Sequence, residues 1–181
     1  MLNRTFTPFP ILTTERLTRR QLVTKDEQEI FILRSDSQIN KYLDRQIADT
    51  IDDARTFINK VNANINTNDS LYWAITFSDK NIVVGTVCLF SFSDENNNCE
   101  IGYELLRNFQ GHGIMKEAVE KVIDYAFNTI KVQKIEAIFH RDNQSSIKLL
   151  EKFSFRDSNE PDQTDSDLIY YHLINSLDKL K

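Results

Sequence analysis

The stretch from Cys99 to Thr129 restricts the fold more than any other part of the chain. A strand-like run, Cys99–Leu105, enters a turn with two of the four glycines of the protein, Gly111 and Gly113, and a long amphipathic pattern leaves it. Glycine lets a backbone approach a ligand closely, and the first turn of a helix offers unpaired N–H groups at its positive end. This order therefore indicates a seat for a phosphate-bearing ligand, although a plain strand-to-helix turn would share the pattern.

The glycine turn matches neither of the common nucleotide-binding motifs. P-loops end in Gly-Lys-Ser or Gly-Lys-Thr, and dinucleotide folds carry three glycines at a fixed spacing. The turn Gln110-Gly-His-Gly has neither ending, because the nearest lysine, Lys116, is misplaced. No magnesium-binding carboxylate is indicated either, so a nucleotide-binding protein is disfavoured.

Hydrophobic periodicity predicts a mixed α+β sandwich around this turn. Strands with short hairpin-like turns, typical of an antiparallel meander, are predicted at Leu71–Phe77, Ile82–Phe92 and Asn98–Leu105. Other strands are predicted at Thr14–Val23, Val132–His140 and Leu168–Ile174, and helices at Asp52–Asn66, Gly113–Thr129 and Ser145–Lys152, with a further helix capped by Asp26. The strand after the long helix should run parallel to the one before it. Loops are expected at 62–69 and 156–167, and a frayed tail at 176–181.

Composition excludes several classes of protein. With 181 residues the chain suits a single domain, 1–181, and its net charge of −5 without a dense Lys/Arg cluster disfavours nucleic acid as a partner. An acidic surface suits a cationic substrate such as an amine or a basic protein. The longest apolar run, Ile82–Phe90, is too short to cross a membrane, and the N-terminus lacks the apolar core of a secretion signal. We therefore expect a cytoplasmic protein without membrane contact.

The cysteines and histidines do not form a metal motif. Cys88 and Cys99 have no zinc spacing, and the three histidines form no paired motif, so we predict no metal site. Cys88 lies in an apolar strand and is expected to be a buried small hydrophobe. A nucleophilic role for Cys99 is open, but no histidine near it in sequence supports one.

The turn resembles the acetyl-CoA loop of the GCN5-related N-acetyltransferases (GNAT), Gln/Arg-x-x-Gly-x-Gly/Ala. Gln110 and Gly113 fill its first two fixed positions, while Met115 replaces the last small residue. Further motifs match in family order and resemble the branch that acetylates ribosomal-protein N-termini: Thr14-Glu-Arg-Leu, Tyr72-Trp-Ala-Ile, Glu100-Ile-Gly-Tyr-Glu-Leu and Asn143-Gln-Ser-Ser-Ile-Lys-Leu-Leu-Glu-Lys-Phe. The resemblance covers about residues 10–174. It implies a mostly antiparallel sheet whose central parallel strands splay apart, with helices on its flanks.

The resemblance implies acetyl-CoA as co-substrate, and no metal. It assigns the pyrophosphate to backbone N–H groups of the turn, the thioester carbonyl to a main-chain N–H near Leu105, and the pantetheine arm to Asn143. The implied binding residues are Leu105, Gln110, Gly111, His112, Gly113, Ile114, Met115, Lys116 and Asn143. His112 and Lys116 are equally well read as solvated side chains, and Asn143 as a helix N-cap.

Two residues are candidates for proton transfer. Glu100 and Glu104 share one face of their strand, and Glu104, nearest the strand opening, is favoured as base, directly or through a water, over a merely solvated carboxylate. In many family members, a tyrosine that acts as the general acid stands where this chain has Leu150. The ribosomal-protein branch has a serine at Ser146, which implies that this hydroxyl serves the leaving thiolate unless it only caps the helix. Ser154 also departs from a family glycine, and an effect on stability is expected there first.

The sequence thus predicts an acetyl-CoA-dependent N-acetyltransferase that acts on a primary amine, either a protein N-terminus or a small molecule. The amine attacks directly in a ternary complex. The alternative is a non-catalytic acyl-CoA-binding or regulatory module of the same fold. Relatives often form dimers, so a homodimer is possible, and residues 24–70 carry no motif that identifies the acceptor.

Overall fold

Eight strands form one sheet with four helices on its flanks. The computed structural model describes residues 1–158 and 167–175. The strands are β1 Leu12–Thr13, β2 Leu17–Gln21, β3 Leu71–Phe77, β4 Lys80–Ser93, β5 Asn98–Leu105, β6 Lys134–His140, β7 Arg156–Asp157 and β8 Leu168–Ile174. The helices are α1 Glu27–Ser35, α2 Ile51–Asn66, α3 Ile114–Tyr125 and α4 Gln144–Glu151.

Among the described residues the sheet has the order β1-β2-β3-β4-β5-β6-β8-β7, with β5 and β6 as its one parallel pair. The predicted meander of β3, β4 and β5 is confirmed, as is the predicted parallel strand after the long helix. Pairing between β5 and β6 is limited to three residue pairs, from Asn98↔Lys134 to Glu100↔Glu136. Beyond Glu100 the two strands separate, whereas β5 stays paired with β4 as far as Leu105. The predicted splay of the central strands is therefore present.

The two faces of the sheet have different hydrophobic cores. The larger core joins α3 and α4 to the sheet and contains Trp73, Ile75 and Leu150. The smaller one joins α1 and α2 to the opposite face, around Ala74 and Ile58. Because strand side chains alternate between faces, β3 contributes to both cores.

Several predicted boundaries are wrong, and the reason is packing. Residues 62–66 belong to α2, not to a loop, because Val61 and Ile65 are buried and extend its apolar face past the asparagines. Asp26 does not cap α1 with its side chain, which instead accepts hydrogen bonds from the Val23 N–H and from Arg20. The predicted strand 14–23 shortens to β2, and a π-helical turn over 126–130 ends the long helix.

The remaining expectations concern the ends of the chain and membranes. Of the loop predicted over 156–167, residues 156 and 157 form β7, and 159–166 lie outside the described residues, as does the predicted tail 176–181. Within the described ranges, none of the helices is long and apolar enough to cross a membrane.

Candidate active site

The glycine turn after β5 has the backbone conformation that its sequence requires. Gly111 and Gly113 have φ angles of +80° and +75°, in the left-handed region that side chains avoid. A Cβ added at Gly111 would meet nothing within 4 Å, so the turn faces open space. Gly113 is the N-cap of α3, and the first helical hydrogen bond runs from the Glu117 N–H to the Gly113 carbonyl over 3.1 Å.

The turn presents a row of free main-chain donors. Among the described residues, no acceptor pairs with the N–H groups of 111–116, which lie at the positive end of α3. The side chains of Ile114 and Met115 are buried in the core, whereas His112 and Lys116 are exposed. The bulk of Met115 therefore points away from the turn, and its N–H remains available.

Side chains from distant parts of the sequence brace this turn. The Gln110 amide donates to the Leu105 carbonyl over 3.1 Å and ties the turn back to the end of β5. Arg16 pairs with Glu117 at 2.7 Å and reaches the His112 carbonyl over 3.4 Å. Sequence reasoning missed the role of Arg16, although its Thr14-Glu-Arg-Leu motif was the available signal.

A second arginine, Arg19, lies wholly buried beside Glu117. One of its nitrogens donates to the Thr14 hydroxyl over 3.4 Å, and the other two have no partner among the described residues. Burial lowers the pKa of Arg19 to about 10, with the Glu117 carboxylate acting in the opposite direction. Both arginines add positive charge next to the turn, which favours an anionic ligand.

The gap between β5 and β6 lies next to α4. Asn143 caps α4, because its side-chain oxygen accepts from the Ser146 N–H over 3.2 Å, so the capping role is confirmed. Tyr103 points from β5 toward Ser146, and its buried hydroxyl has no hydrogen-bond partner among the described residues. Burial raises the pKa of Tyr103 to about 12, and the nearby Ser146 side chain opposes that rise, although the two groups are not in regular hydrogen-bond geometry. Sequence reasoning gave Tyr103 no role.

Glu104 lies on the opposite face of the sheet, with its side chain only 9% exposed. Both of its oxygens accept from Arg45, at 2.5 and 3.1 Å, and one also accepts from the Tyr72 hydroxyl at 3.1 Å. The same Arg45 donates to Asn40, so the segment between α1 and α2 is fixed to the sheet. No sequence pattern marked Arg45, because the contact joins residues 59 positions apart.

The other groups on this face differ from Glu104. Glu100 is half buried, and burial raises its pKa, opposed by a hydrogen bond from Ser91 and reinforced by the negative charge of Glu136. Burial also raises the pKa of the Cys88 thiol on this face to about 12, and it raises that of Cys99, which lies in the larger core on the opposite face. Neither cysteine is therefore a thiolate at neutral pH, which disfavours a covalent cysteine intermediate.

A cavity of about 700 Å³ opens on the same face, between α1, α2 and the sheet. Tyr72 lines it, and its hydroxyl connects the cavity to Glu104. Residues 46–48 of the segment between α1 and α2 line one side of the cavity, and Tyr42 of the same segment stacks on His140 of β6 with ring centroids 5.3 Å apart. This segment thus contacts both splayed strands. In the described parts of the chain, no cluster of three or more His, Cys, Asp or Glu side chains is placed to hold a metal ion.

Comparisons with known proteins agree with this geometry. The family model described as the acetyltransferase (GNAT) domain matches residues 16–156. The uncharacterized N-acetyltransferase p20 of Bacillus licheniformis is 36% identical over 146 residues, 80% of this chain and 82% of that protein.

Two solved structures show the same fold. A GNAT-family acetyltransferase from Bacillus anthracis is 24% identical and has a TM-score of 0.79, with 91% of this chain and 98% of that chain covered. The ribosomal L7/L12 alpha-N-protein acetyltransferase RimL, in complex with coenzyme A, is 18% identical and has a TM-score of 0.81, with coverage of 91% and 98%.

Proposed function

The chain belongs to the GNAT acetyltransferase family, and we propose that it transfers the acetyl group of acetyl-CoA to a primary amine in a ternary complex. The observation that carries this proposal is the gap between β5 and β6. On one side of it lie the free N–H groups of the glycine turn, and on the other side lies the cavity that leads to Glu104. Two substrates can therefore reach the gap from opposite faces of the sheet.

The glycine turn suits the pyrophosphate of acetyl-CoA. The N–H groups of Gly111 to Lys116 are free to donate, and the α3 dipole with Arg16 and Arg19 favours negative charge there. Acetyl-CoA supplies the activated acyl group as a thioester. The unpaired edge of β5 beyond Glu100 supplies main-chain donors for that group, with the N–H near Leu105 as the proposed polarising donor. Asn143 borders the pantetheine arm while it caps α4.

Glu104 is the proposed base for the attacking amine. Its carboxylate is buried at the end of β5 and is reached from the cavity by way of Tyr72. Arg45 holds the Glu104 carboxylate in place through two hydrogen bonds, and Glu104 takes the amine proton directly or through a water. Arg45 is thus a positioning residue.

Ser146 is the proposed partner of the departing thiolate. The residue sits at the start of α4, on the cofactor side of the gap, with the Tyr103 hydroxyl behind it. The Ser146 hydroxyl can donate to the sulfur, and Tyr103 can donate to the Ser146 oxygen, which would give the unpaired Tyr103 hydroxyl a partner. This pair replaces the tyrosine that the family often places at the position of Leu150, a fully buried side chain here.

The alternative function is a binding module that holds acetyl-CoA without transfer. Leu150 favours it, because that side chain cannot donate a proton. Similarity to RimL suggests a protein N-terminal amine as acceptor, whereas the volume of the cavity, about 700 Å³, suits a small one.

The test is release of free CoA thiol from acetyl-CoA in the presence of an amine panel of N-terminal peptides, polyamines and amino acids. Mass spectrometry should show the amine gaining one acetyl group. Thiol release that requires an amine supports the transferase. Saturable acetyl-CoA binding without release on any amine would support the binding module instead.

A further inference from the structure

The cavity above β3 and β4 contains a cation, Arg34, that has no anionic partner among the described residues. Arg34, at the end of α1, lines this cavity and stacks on Phe57 of α2, with 3.9 Å between its guanidinium carbon and the ring centroid. In the described part of the chain, its side chain makes no hydrogen bond or ion pair. Guanidinium groups have five donors in a planar fork and stay charged at any physiological pH. Arg34 is partly buried, and its unused donors face the cavity, where an anionic ligand can accept from them.

Burial and a neighbouring positive charge make an anionic ligand favourable beside Arg34. Burial lowers the pKa of Arg34, and the positive charge of Arg45 lowers it further, while Glu104 and Tyr72 oppose these effects. Glu104 cannot serve as the missing partner, because Arg45 already occupies both of its oxygens. Arg34 and Arg45 therefore both lie near Glu104, but only Arg45 pairs with it, and Arg34 is left without an anionic partner among the described residues.

The other charged groups that line the cavity form no ion pair with Arg34 among the described residues. Asp53 accepts three hydrogen bonds from residues 49 and 50 at the start of α2, and Asp69 accepts from the Thr67 hydroxyl. Both carboxylates are thus committed to local structure. Lys60 adds a second cation to the lining, and no ion pair in the described residues involves it.

The cavity connects Arg34 with the proposed site of transfer. Phe57 packs edge-on against Tyr72, with ring centroids 5.3 Å apart, and the Tyr72 hydroxyl donates to Glu104. A ligand bound to Arg34 thus lies along a wall of two aromatic rings that ends at the proposed base. Aromatic walls and one polar group at each end suit a compact molecule.

We infer that Arg34 binds an anionic group of the acceptor, a carboxylate or a phosphate, so that the substrate is an amine that also carries negative charge. This inference rests on the proposed transferase function and names its acceptor class. The overall charge of the protein suggests a cationic acceptor, but the charges that line the cavity favour an acceptor with a positive and a negative end.

The experiment compares amines that differ in the anion. β-Alanine is paired with β-alaninamide, and O-phosphoethanolamine with ethanolamine, so that the two pairs distinguish a carboxylate from a phosphate. Rates are compared per fraction of neutral amine, because the anion also changes the basicity of the amine. We expect kcat/KM for the anionic member of at least one pair to exceed that of its partner by about tenfold or more, as for hydrogen bonds to charged groups.

Three arginine variants test whether Arg34 causes the preference for anionic amines. Arg34→Gln should remove the preference, Arg34→Lys should restore part of it, and Arg156→Gln, an exposed arginine on β7 at the far edge of the sheet, should leave it intact. The melting temperature of each variant shows whether it is folded. Equal rates for both members of each pair, or a preference that survives Arg34→Gln, would overturn the inference while the transferase function stands.

Failure of the transferase function can be distinguished from failure of the anion site at Arg34. If acetyl-CoA binds but no amine is acetylated, the transferase function fails, and the anion site is judged by calorimetric titration of the CoA-loaded protein with β-alanine and O-phosphoethanolamine. Binding by the wild type that is lost in Arg34→Gln supports the site. Absent binding, or equal binding by both proteins, overturns it.

Discussion

The two halves of the site, on opposite faces of the sheet, are built in different ways. The cofactor half has its pyrophosphate site in consecutive residues, 105–117, whose binding groups are mainly main-chain N–H donors at the start of α3. The acceptor half joins α1, the segment before α2, and strands β3 and β5, and its groups are the side chains of Arg34, Arg45, Tyr72 and Glu104. A cofactor common to a family can be held by backbone, whereas the choice of acceptor depends on side chains.

This difference has consequences for mutation. Substitutions in the acceptor half should change turnover and leave acetyl-CoA binding alone. Substitutions in the glycine turn should do the reverse. The following predictions test that separation, beginning with the largest effect.

Glu104→Gln should lower kcat by about a hundredfold or more, because a positioned base contributes at least that much. The dissociation constant of acetyl-CoA should change little, as Glu104 lies across the sheet from the turn. Steady-state kinetics and calorimetry on the same preparation check both values. Glu100→Gln is the matched variant on the same face of β5, and a larger loss there than in Glu104→Gln would reassign the base.

Ser146→Ala should lower kcat by about tenfold, since it removes one hydrogen bond to the developing thiolate. Tyr103→Phe should lower kcat less and leave the protein at least as stable, because the lost hydroxyl is buried without a partner. Rates and melting temperatures distinguish the two roles. Full activity in both variants would remove the proposed proton path from the cofactor half.

These roles differ in how far the sequence could predict them. The turn and the α4 cap were predictable because each depends on a local signal, glycine spacing and a capping asparagine, whereas the splayed strands were expected from the family resemblance. The roles of Arg45 and Arg34 were not predictable, because the residues they contact, Glu104 and Phe57, are far away in sequence. The π-turn after α3 also escaped prediction, and of the two overlapping predictions for residues 62–66, the helix is confirmed and the loop is wrong.

The stability of Glu100→Gln should depend on pH. Burial raises the folded-state pKa of Glu100 above its unfolded value, so its stabilising contribution is full below the unfolded pKa and is lost as pH rises through the folded one. The variant should therefore gain melting temperature relative to the wild type between about pH 4 and pH 7, because the unfolded pKa is about 4.3. A difference independent of pH would mean that Glu100 has no raised pKa.

Ser154→Gly should have the smallest effect and none on either half of the site. Ser154 has φ +65°, a conformation that glycine adopts more readily, and its position after α4 lies outside the turn and the cavity. We expect the free energy of unfolding to rise by about 0.5–1 kcal/mol. Denaturant unfolding measures this gain, and a loss of stability would show that the serine side chain is needed there.

Calorimetric titration with acetyl-CoA tests the central claim, that the backbone of the glycine turn holds the co-substrate, most directly. The wild type and Glu104→Gln should bind it saturably and alike. Gly113→Val should bind at least about tenfold more weakly, because a β-branched side chain disfavours φ +75° and displaces the N–H donors. Equal binding by Gly113→Val, or no binding by the wild type, would contradict the account.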